Sequence, residues 1–324
     1  MVTKEKEQLG PASDLVARLR AGYEPKRIRE KRHPGRVIAA AVVVIIAFFI
    51  VQLLIGAEGI GWPVVFRYLF AERVLAGLVT TLWLTATVMA IAIAIGITVA
   101  IMERSTNPVL RYVAQFYVWV FRATPTLVQL LLWFNLSLIL PRFELGIPFT
   151  SVQFWSVDTN QMMTPILAAI LGLALSEGAY MAEIMRSGLE SVSRGQHEAA
   201  WALGMNPRKT FFKVTLPQAI RTVIPPTGNQ VIGMLKYTSL ASVISVSDLL
   251  FSVEQISSVN FQVIPLLVVA SIWYLILASS LQLVQDRIER HYNRGVAGAK
   301  TLKRKTDAPK MELPAFIVPK GLVK

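Results

Sequence analysis

Six apolar runs divide this chain, each long enough to cross a bilayer. They lie near Val37–Ala57, Leu75–Met102, Tyr112–Leu140, Thr164–Met185, Thr222–Val246 and Val263–Val284. A hydrocarbon core about 30 Å thick takes roughly 20 helical residues at about 1.5 Å each. Lipid offers the backbone no hydrogen-bond partners, so a lone spanning segment has to be helical. The expected fold is therefore an all-α membrane protein with six transmembrane helices. Composition agrees, with 54% of the 324 residues hydrophobic and 16% charged, against about 25% charged in a soluble domain. Thirty-six mostly polar residues precede the first run and no small-residue cleavage site follows it, so it reads as an uncleaved anchor.

Lysine and arginine set the orientation. With the N-terminus in the cytoplasm, segments 1–36, 103–111, 186–221 and 286–324 are inside and hold 10, 2, 6 and 10 basic residues. Segments 58–74, 141–163 and 247–262 are outside and hold 2, 1 and 0. Arg122 and Lys236 fall within runs, which accounts for all 33. Both termini are thus expected in the cytoplasm. The net charge of +13 reads as a topology signal and a contact with anionic membrane lipid, not as a nucleic-acid surface. There are no cysteines and only three histidines (His33, His197 and His291), all in polar segments. Thiolate chemistry is excluded and no histidine metal cluster is expected. No Gly-x-x-x-x-Gly-Lys-Ser/Thr loop occurs, so the chain has no such cradle for ATP phosphates.

One polar stretch between two runs stands out: Glu198 to Pro217, EAAWALGMNPRKTFFKVTLP. His197 to Leu203 is built of helix formers, and Gly204 tolerates the left-handed conformation that ends helices. Asn206 is a cap and Pro207 a first helical residue, so a second helix begins at once. Leu216-Pro217 marks its end or a kink. A helix, a sharp turn and a helix make a knob suited to a partner's groove.

This stretch resembles the cytoplasmic signature loop of ABC importer permeases, with Val214 where that family usually has isoleucine. Further motifs resemble the type I, polar amino acid branch of histidine, glutamine and arginine permeases, from about Gly77 to Arg294. They are Gly77-Leu78-Val79-Thr80-Thr81-Leu82, Arg122-Ala123-Thr124-Pro125 through Gln129, and Gly178-Ala179-Tyr180-Met181-Ala182-Glu183 with Arg186 and Gly188. Pro217-Gln218-Ala219, Pro225-Pro226, Gly228-Asn229-Gln230 and Lys236-Tyr237-Thr238-Ser239-Leu240 follow. Tyr237 departs from the branch by replacing an acid. The resemblance implies a permease core of five helices at 75–286, with the coupling loop at 190–217 and the first helix (37–57) as an added anchor. Residues 1–36 and 287–324 are then cytoplasmic tails, the first with a short amphipathic helix around Asp14–Arg20 and the second disordered.

The resemblance also implies a transporter subunit, not an enzyme, in a bacterial inner membrane. ATP and Mg would be held by cytoplasmic ABC ATPase subunits, and this chain would bind no cofactor. An extracytoplasmic solute-binding protein would deliver a polar amino acid, and a second permease subunit, identical or related, would complete the pathway. Glu198, Ala199, Ala200, Gly204, Leu216 and Pro217 would couple to the ATPase.

Ionisable groups deep in lipid cost roughly 2.5–3.5 kcal/mol on insertion scales and need partners or a wet cavity. Arg122, Glu177 and Lys236 all fall within the middle third of their runs, beside the helix breakers Thr124-Pro125 and Pro225-Pro226-Gly228. The reading places them along one solute pathway with Gln129, Asn229, Gln230, Thr238 and Ser239, Arg122 for a carboxylate and Glu177 for an ammonium. The plainer alternative is that a basic group merely neutralises Glu177. Glu183 and Arg186 read as a helix-end ion pair, and Ala86, Ala90 and Ala94 as a small-residue face for close helix packing. Two rival functions remain. An ion-coupled secondary transporter needs more acids within the spans. A membrane enzyme working through Glu177 and Glu183 would have to use carboxylates about 9 Å apart on different faces.

Overall fold

The structure, a computed structural model, describes residues 34–146 and 153–306. The proposed helix around Asp14–Arg20 and the end of the C-terminal tail lie outside the described residues. The chain forms two compact units, residues 1–57 and 58–324. In the first, α1 (Pro34–Gly56) is apolar on every side, and all its side chains from Ile38 onward are exposed. Such a helix suits lipid, which solvates it all round.

The second unit runs through α2 (Trp62–Tyr68), α3 (Glu72–Glu103), α4 (Pro108–Ala123), α5 (Thr126–Phe134) and α6 (Leu136–Ile139). A hairpin of β1 (Arg142–Gly146) and β2 (Gln153–Asp158) follows, antiparallel, with Arg142 opposite Asp158 and a bulge at Leu145/Gly146. Then come α7 (Thr159–Met162), α8 (Pro165–Glu190), α9 (Arg194–Ala202), α10 (Pro207–Thr210), a π-helical turn (Phe211–Thr215) and α11 (Leu216–Tyr237). A 3-10 stretch (Thr238–Ile244), α12 (Leu249–Asn260) and α13 (Val263–Thr306) complete it.

Among the described residues, four helices are long and apolar enough to span: Ile38–Gly56, Glu72–Glu103, Pro165–Glu190 and Val263–Tyr292. A fifth is bent by 44° where Pro207–Ile244 meets Leu249–Asn260. The expected run Tyr112–Leu140 is not one helix. Pro125 lacks an N–H and pushes Thr124 to extended backbone (φ −98, ψ 138), so the chain breaks into α4 and α5. The break expected at Pro225-Pro226 does not occur, because α11 runs through both prolines. There the Thr227 hydroxyl donates to Val223 O (2.8 Å), and the Gln285 amide reaches over from α13 to Pro225 O (3.0 Å). Neighbouring side chains of this kind make intramembrane prolines tolerable. Segment 247–262 holds α12, with Leu249, Ser252 and Val253 buried, and the helix of the last span continues to Thr306, into the segment expected as a disordered tail.

The core centres on α3 against α8. Residues buried on α3 recur at Val74, Gly77, Thr81, Leu84, Val88, Ala92, Gly96 and Val99, a three-to-four-residue stripe that makes one helical face. Close approach comes from glycine. A Cβ on Gly96 would lie 2.6 Å from Met181 Cβ, one on Gly178 would lie 2.7 Å from Ile95, and one on Gly172 would lie 3.0 Å from Leu130 Cα. The alanine face of α3 is not the one used against α8: Ala86, Ala90 and Ala94 are exposed on the opposite side of the helix. A second cluster joins Val65 of α2, Val74 of α3, Leu249 and Val253 of α12, and Leu266, Val269 and Ala270 of α13.

Candidate functional site

Two places carry functional geometry. The first is the turn after α8. α9 ends as expected at Gly204, whose φ is +72. Gly204 N donates to Trp201 O (2.9 Å) and Met205 N to Ala200 O (3.0 Å), the paired bonds of a Schellman end. Asn206 Oδ1 then accepts from Lys209 N at 2.8 Å, with Pro207 opening α10. Glu198 and Ala199 are exposed, Ala200 is buried, and the tip presents Trp201 and Leu203 at 58% and 82% exposure. The tip thus leaves two large apolar side chains uncovered beside an acid. Leu216 and Pro217 do not end the second helix. They begin α11, directly after the π turn. Thr215 of that turn is 3.1 Å from His197 Nε2, which ties α9 to the base of α11.

The second place is a cavity of about 170 Å³ lined by Thr126, Leu173, Ser176, Glu177, Tyr180, Gln230, Met234 and Tyr237. Three elements build it. From α8 come Leu173, Ser176, Glu177 and Tyr180, one helical face at i, i+3, i+4 and i+7; from α11 come Gln230, Met234 and Tyr237 at i, i+4 and i+7. Thr126 arrives from the start of α5, and its hydroxyl is 3.1 Å from Ser176 Oγ. Glu177 is 4% exposed and its Oε1 has no hydrogen-bond partner. Among the described residues no basic side chain pairs with it. Leaving a carboxylate buried without a counter-charge costs on the order of several kcal/mol, so the site is chemically incomplete without a cation or a proton.

The structure separates the other residues placed on the pathway. Arg122 Nη1 pairs with Glu183 Oε2 at 3.2 Å and its guanidinium lies over the Tyr180 ring, 5.5 Å from the centroid. It therefore neutralises Glu183, not Glu177. Glu183 also pairs with Arg186, which reaches Glu190 at 2.7 Å, so the expected helix-end pair is part of a four-residue chain of charges. Gln129 is buried but turned to the helix break, where its Nε2 donates to Phe121 O, Thr124 O and Thr124 Oγ1 at 2.7–3.0 Å. Lys236 and Asn229 are exposed and do not line the cavity. Thr238 and Ser239 donate to backbone carbonyls of Leu235 and Lys236. Of the eight pathway candidates, Glu177 and Gln230 come together. Thr126, Leu173, Ser176, Tyr180, Met234 and Tyr237 were missed as cavity residues, although stepping by helical turns from Glu177 and Gln230 would have reached Leu173, Tyr180, Met234 and Tyr237.

Comparison with known proteins follows this geometry. Residues 92–294 match the family described as binding-protein-dependent transport system inner membrane component. The arginine transport system permease protein ArgU of Corynebacterium glutamicum is 42% identical over 276 residues, covering 84% of this chain and 85% of that one. The L-cystine transport system permease protein TcyB of Bacillus subtilis is 36% identical over 222 residues, covering 68% and 87%. Among solved structures, the crystal structure of an amino acid ABC transporter with histidines superposes with a TM-score of 0.60 at 31% identity, covering 68% of this chain and 95% of that one. The helical spans, the exposed elbow at Glu198–Gly204 and these matches lead to one assignment: the chain belongs to the family of inner membrane components of binding-protein-dependent transport systems, as a multi-pass ABC transporter permease subunit.

Proposed function

We propose that this chain imports a cationic amino acid, holding its positive group at Glu177 while a separate ATPase drives the cycle through the elbow. The observation that carries the reading is Glu177, buried with no hydrogen-bond partner at Oε1, in the lining of a polar cavity between α8, α11 and the α4–α5 break. An intramembrane acid without a protein counter-ion takes up either a proton or a cation, and a cationic solute meets the second need. Gln230 and the hydroxyls of Thr126, Ser176 and Tyr237 give neutral polar groups for the rest of the solute. The similarity to a permease named for arginine transport supports the same substrate class.

In this reading ATP and Mg sit on cytoplasmic ATPase subunits, which seat Trp201 and Leu203 in a groove beside Glu198. A binding protein delivers solute from outside, a second permease subunit completes the pathway, and both termini of this chain lie in the cytoplasm. Nucleotide-driven closure of the ATPases moves the elbow, and α9, the π turn and α11 carry that motion to the cavity. The two states differ in which side the cavity opens to, and nucleotide biases them.

The test is uptake of labelled arginine in cells carrying the complete transporter, at matched membrane abundance. Glu177→Gln is expected to lower uptake at least tenfold while ATPase activity stays near wild type. Uptake is expected to persist when a protonophore collapses the proton gradient and to stop when ATP is depleted. Unchanged uptake in Glu177→Gln removes the cation-receptor role, and uptake that follows the proton gradient removes the ATP-driven one.

A further inference from the structure

Arg122 does not touch the cavity, yet it is tied to a wall of it. Its guanidinium lies over the ring of Tyr180, 5.5 Å from the centroid, while its Nη1 meets Glu183 Oε2 at 3.2 Å. Tyr180 and Glu183 are one turn apart on α8, and Tyr180 in turn is one helical step from Glu177. Arg122 is also the penultimate residue of α4, two residues before the extended Thr124 at the helix break. On the far side of the break, Thr126 is joined to Ser176 of α8 at 3.1 Å. The break is therefore fastened to α8 on both sides. Gln129 closes it from within by donating to Phe121 O and to Thr124 O and Oγ1. A further bond, Tyr117 Oη to Leu175 O at 2.6 Å, fixes α4 to α8 from above.

We propose that Arg122 is a positioning residue for solute selection: by covering the Tyr180 ring and anchoring to Glu183, it fixes the ring as a wall of the Glu177 cavity and holds the α4–α5 break against α8. The inference rests on the reading of that cavity as the solute site. Arg122 suits the task because its wide guanidinium lies over the ring and pairs with a carboxylate at once, which a compact lysine ammonium cannot do in the same geometry. A free tyrosine half exposed at a cavity edge has several rotamers; one held under a guanidinium has a single position. Binding by a preset wall avoids the ordering cost that a mobile wall would add.

The experiment measures equilibrium binding of labelled L-arginine to the purified permease–ATPase complex, without binding protein and without ATP. Arg122→Gln and Glu183→Gln are expected to weaken binding about threefold to tenfold. Tyr180→Phe keeps the ring and is expected to bind as wild type, whereas Tyr180→Leu weakens binding like Arg122→Gln. The double variant Arg122→Gln/Tyr180→Leu is expected to bind no worse than Tyr180→Leu alone, because the arginine acts through the ring. Should Arg122→Gln fail to assemble, Arg122→Lys keeps the charge beside Glu183 but not the planar cover, and about a threefold loss is expected.

Wild-type affinity in Arg122→Gln or Arg122→Lys, or additive losses in the double variant, overturns the inference. Wild-type protein that binds no arginine, or a Glu177→Gln variant that binds it undiminished, overturns the cavity reading and this inference with it. A normal response at Glu177 with no response at Arg122 overturns this inference alone.

Discussion

Two glycines show how differently a single methyl group registers in this fold. At Gly96, an added Cβ would lie 2.6 Å from Met181 Cβ, 2.9 Å from its carbonyl carbon and 3.0 Å from Ala182 N. Part of that obstruction is backbone of α8, which cannot rotate aside. Gly96→Ala is expected to destabilise the α3–α8 contact by about 1–3 kcal/mol, seen as a lower unfolding temperature of the purified protein. At Gly228 the nearest obstruction is the Gln285 amide, 1.6–2.5 Å from the added Cβ. That side chain can swing away, giving up its bond to Pro225 O, so Gly228→Ala is expected to cost nearer 1 kcal/mol. Equal losses at the two sites would contradict this ordering. Residue-level legibility was uneven for the same reason. Gly204 and Asn206 announce their roles because a left-handed turn and an N-cap are local. The glycine against Met181 does not, because its need arises from a partner helix about eighty residues on. The regular Ala86, Ala90, Ala94 spacing marks the face of α3 turned away from α8.

At the scale of elements, the break between α4 and α5 is the feature most exposed to a single change. The two N–H groups of the Gln129 amide serve three acceptors there, and a carbonyl that loses its donor away from water costs about 1–3 kcal/mol. Gln129→Leu, close in volume and without an amide, is expected to lower stability by about that amount, measured by thermal unfolding in detergent. A variant as stable as wild type would mean that water or lipid headgroups already satisfy Phe121 O and Thr124 O. The elbow makes a separate prediction. Thr215 and His197 connect α9 to the π turn at 3.1 Å, and π turns inside helices recur at functional joints. Thr215→Val removes the hydroxyl with little change in shape. It is expected to leave basal ATPase activity intact while reducing solute moved per ATP severalfold, the effect of one lost hydrogen bond at about 1 kcal/mol. An unchanged transport-to-ATPase ratio would assign the bond to packing alone. Sequence located both elements through Thr124-Pro125 and Gly204, since proline and glycine act locally. It could not tell that Pro225-Pro226 would stay helical, because the donor that helps there is Gln285, sixty residues away on α13.

For the whole molecule, the balance of basic residues implies that insertion does not depend on the first unit. Residues 1–57 form their own compact unit, and the family match begins at residue 92. Without segment 1–36, the segments expected inside (103–111, 186–221 and 286–324) still hold eighteen lysines and arginines against three in those expected outside. Positive charge near helix ends retains segments on the cytoplasmic side, so a chain beginning at Glu58 is expected to insert with its elbow still inside. The absence of cysteine makes the check clean. Leu203 is 82% exposed at the elbow tip, and Leu203→Cys gives the protein one thiol. In intact cells a membrane-impermeant maleimide should leave that thiol unlabelled, in the full chain and in the shortened one, and should label it once the membrane is opened. Labelling from outside in the shortened chain alone would show that α1 sets the orientation. Labelling from outside in both would invert the topology, and the elbow could then meet no ATPase in the cytoplasm. The charges that decide this are spread along the sequence and need no tertiary contact to act. Orientation is thus open to sequence reading in a way that the pairing of Arg122 with Glu183 is not.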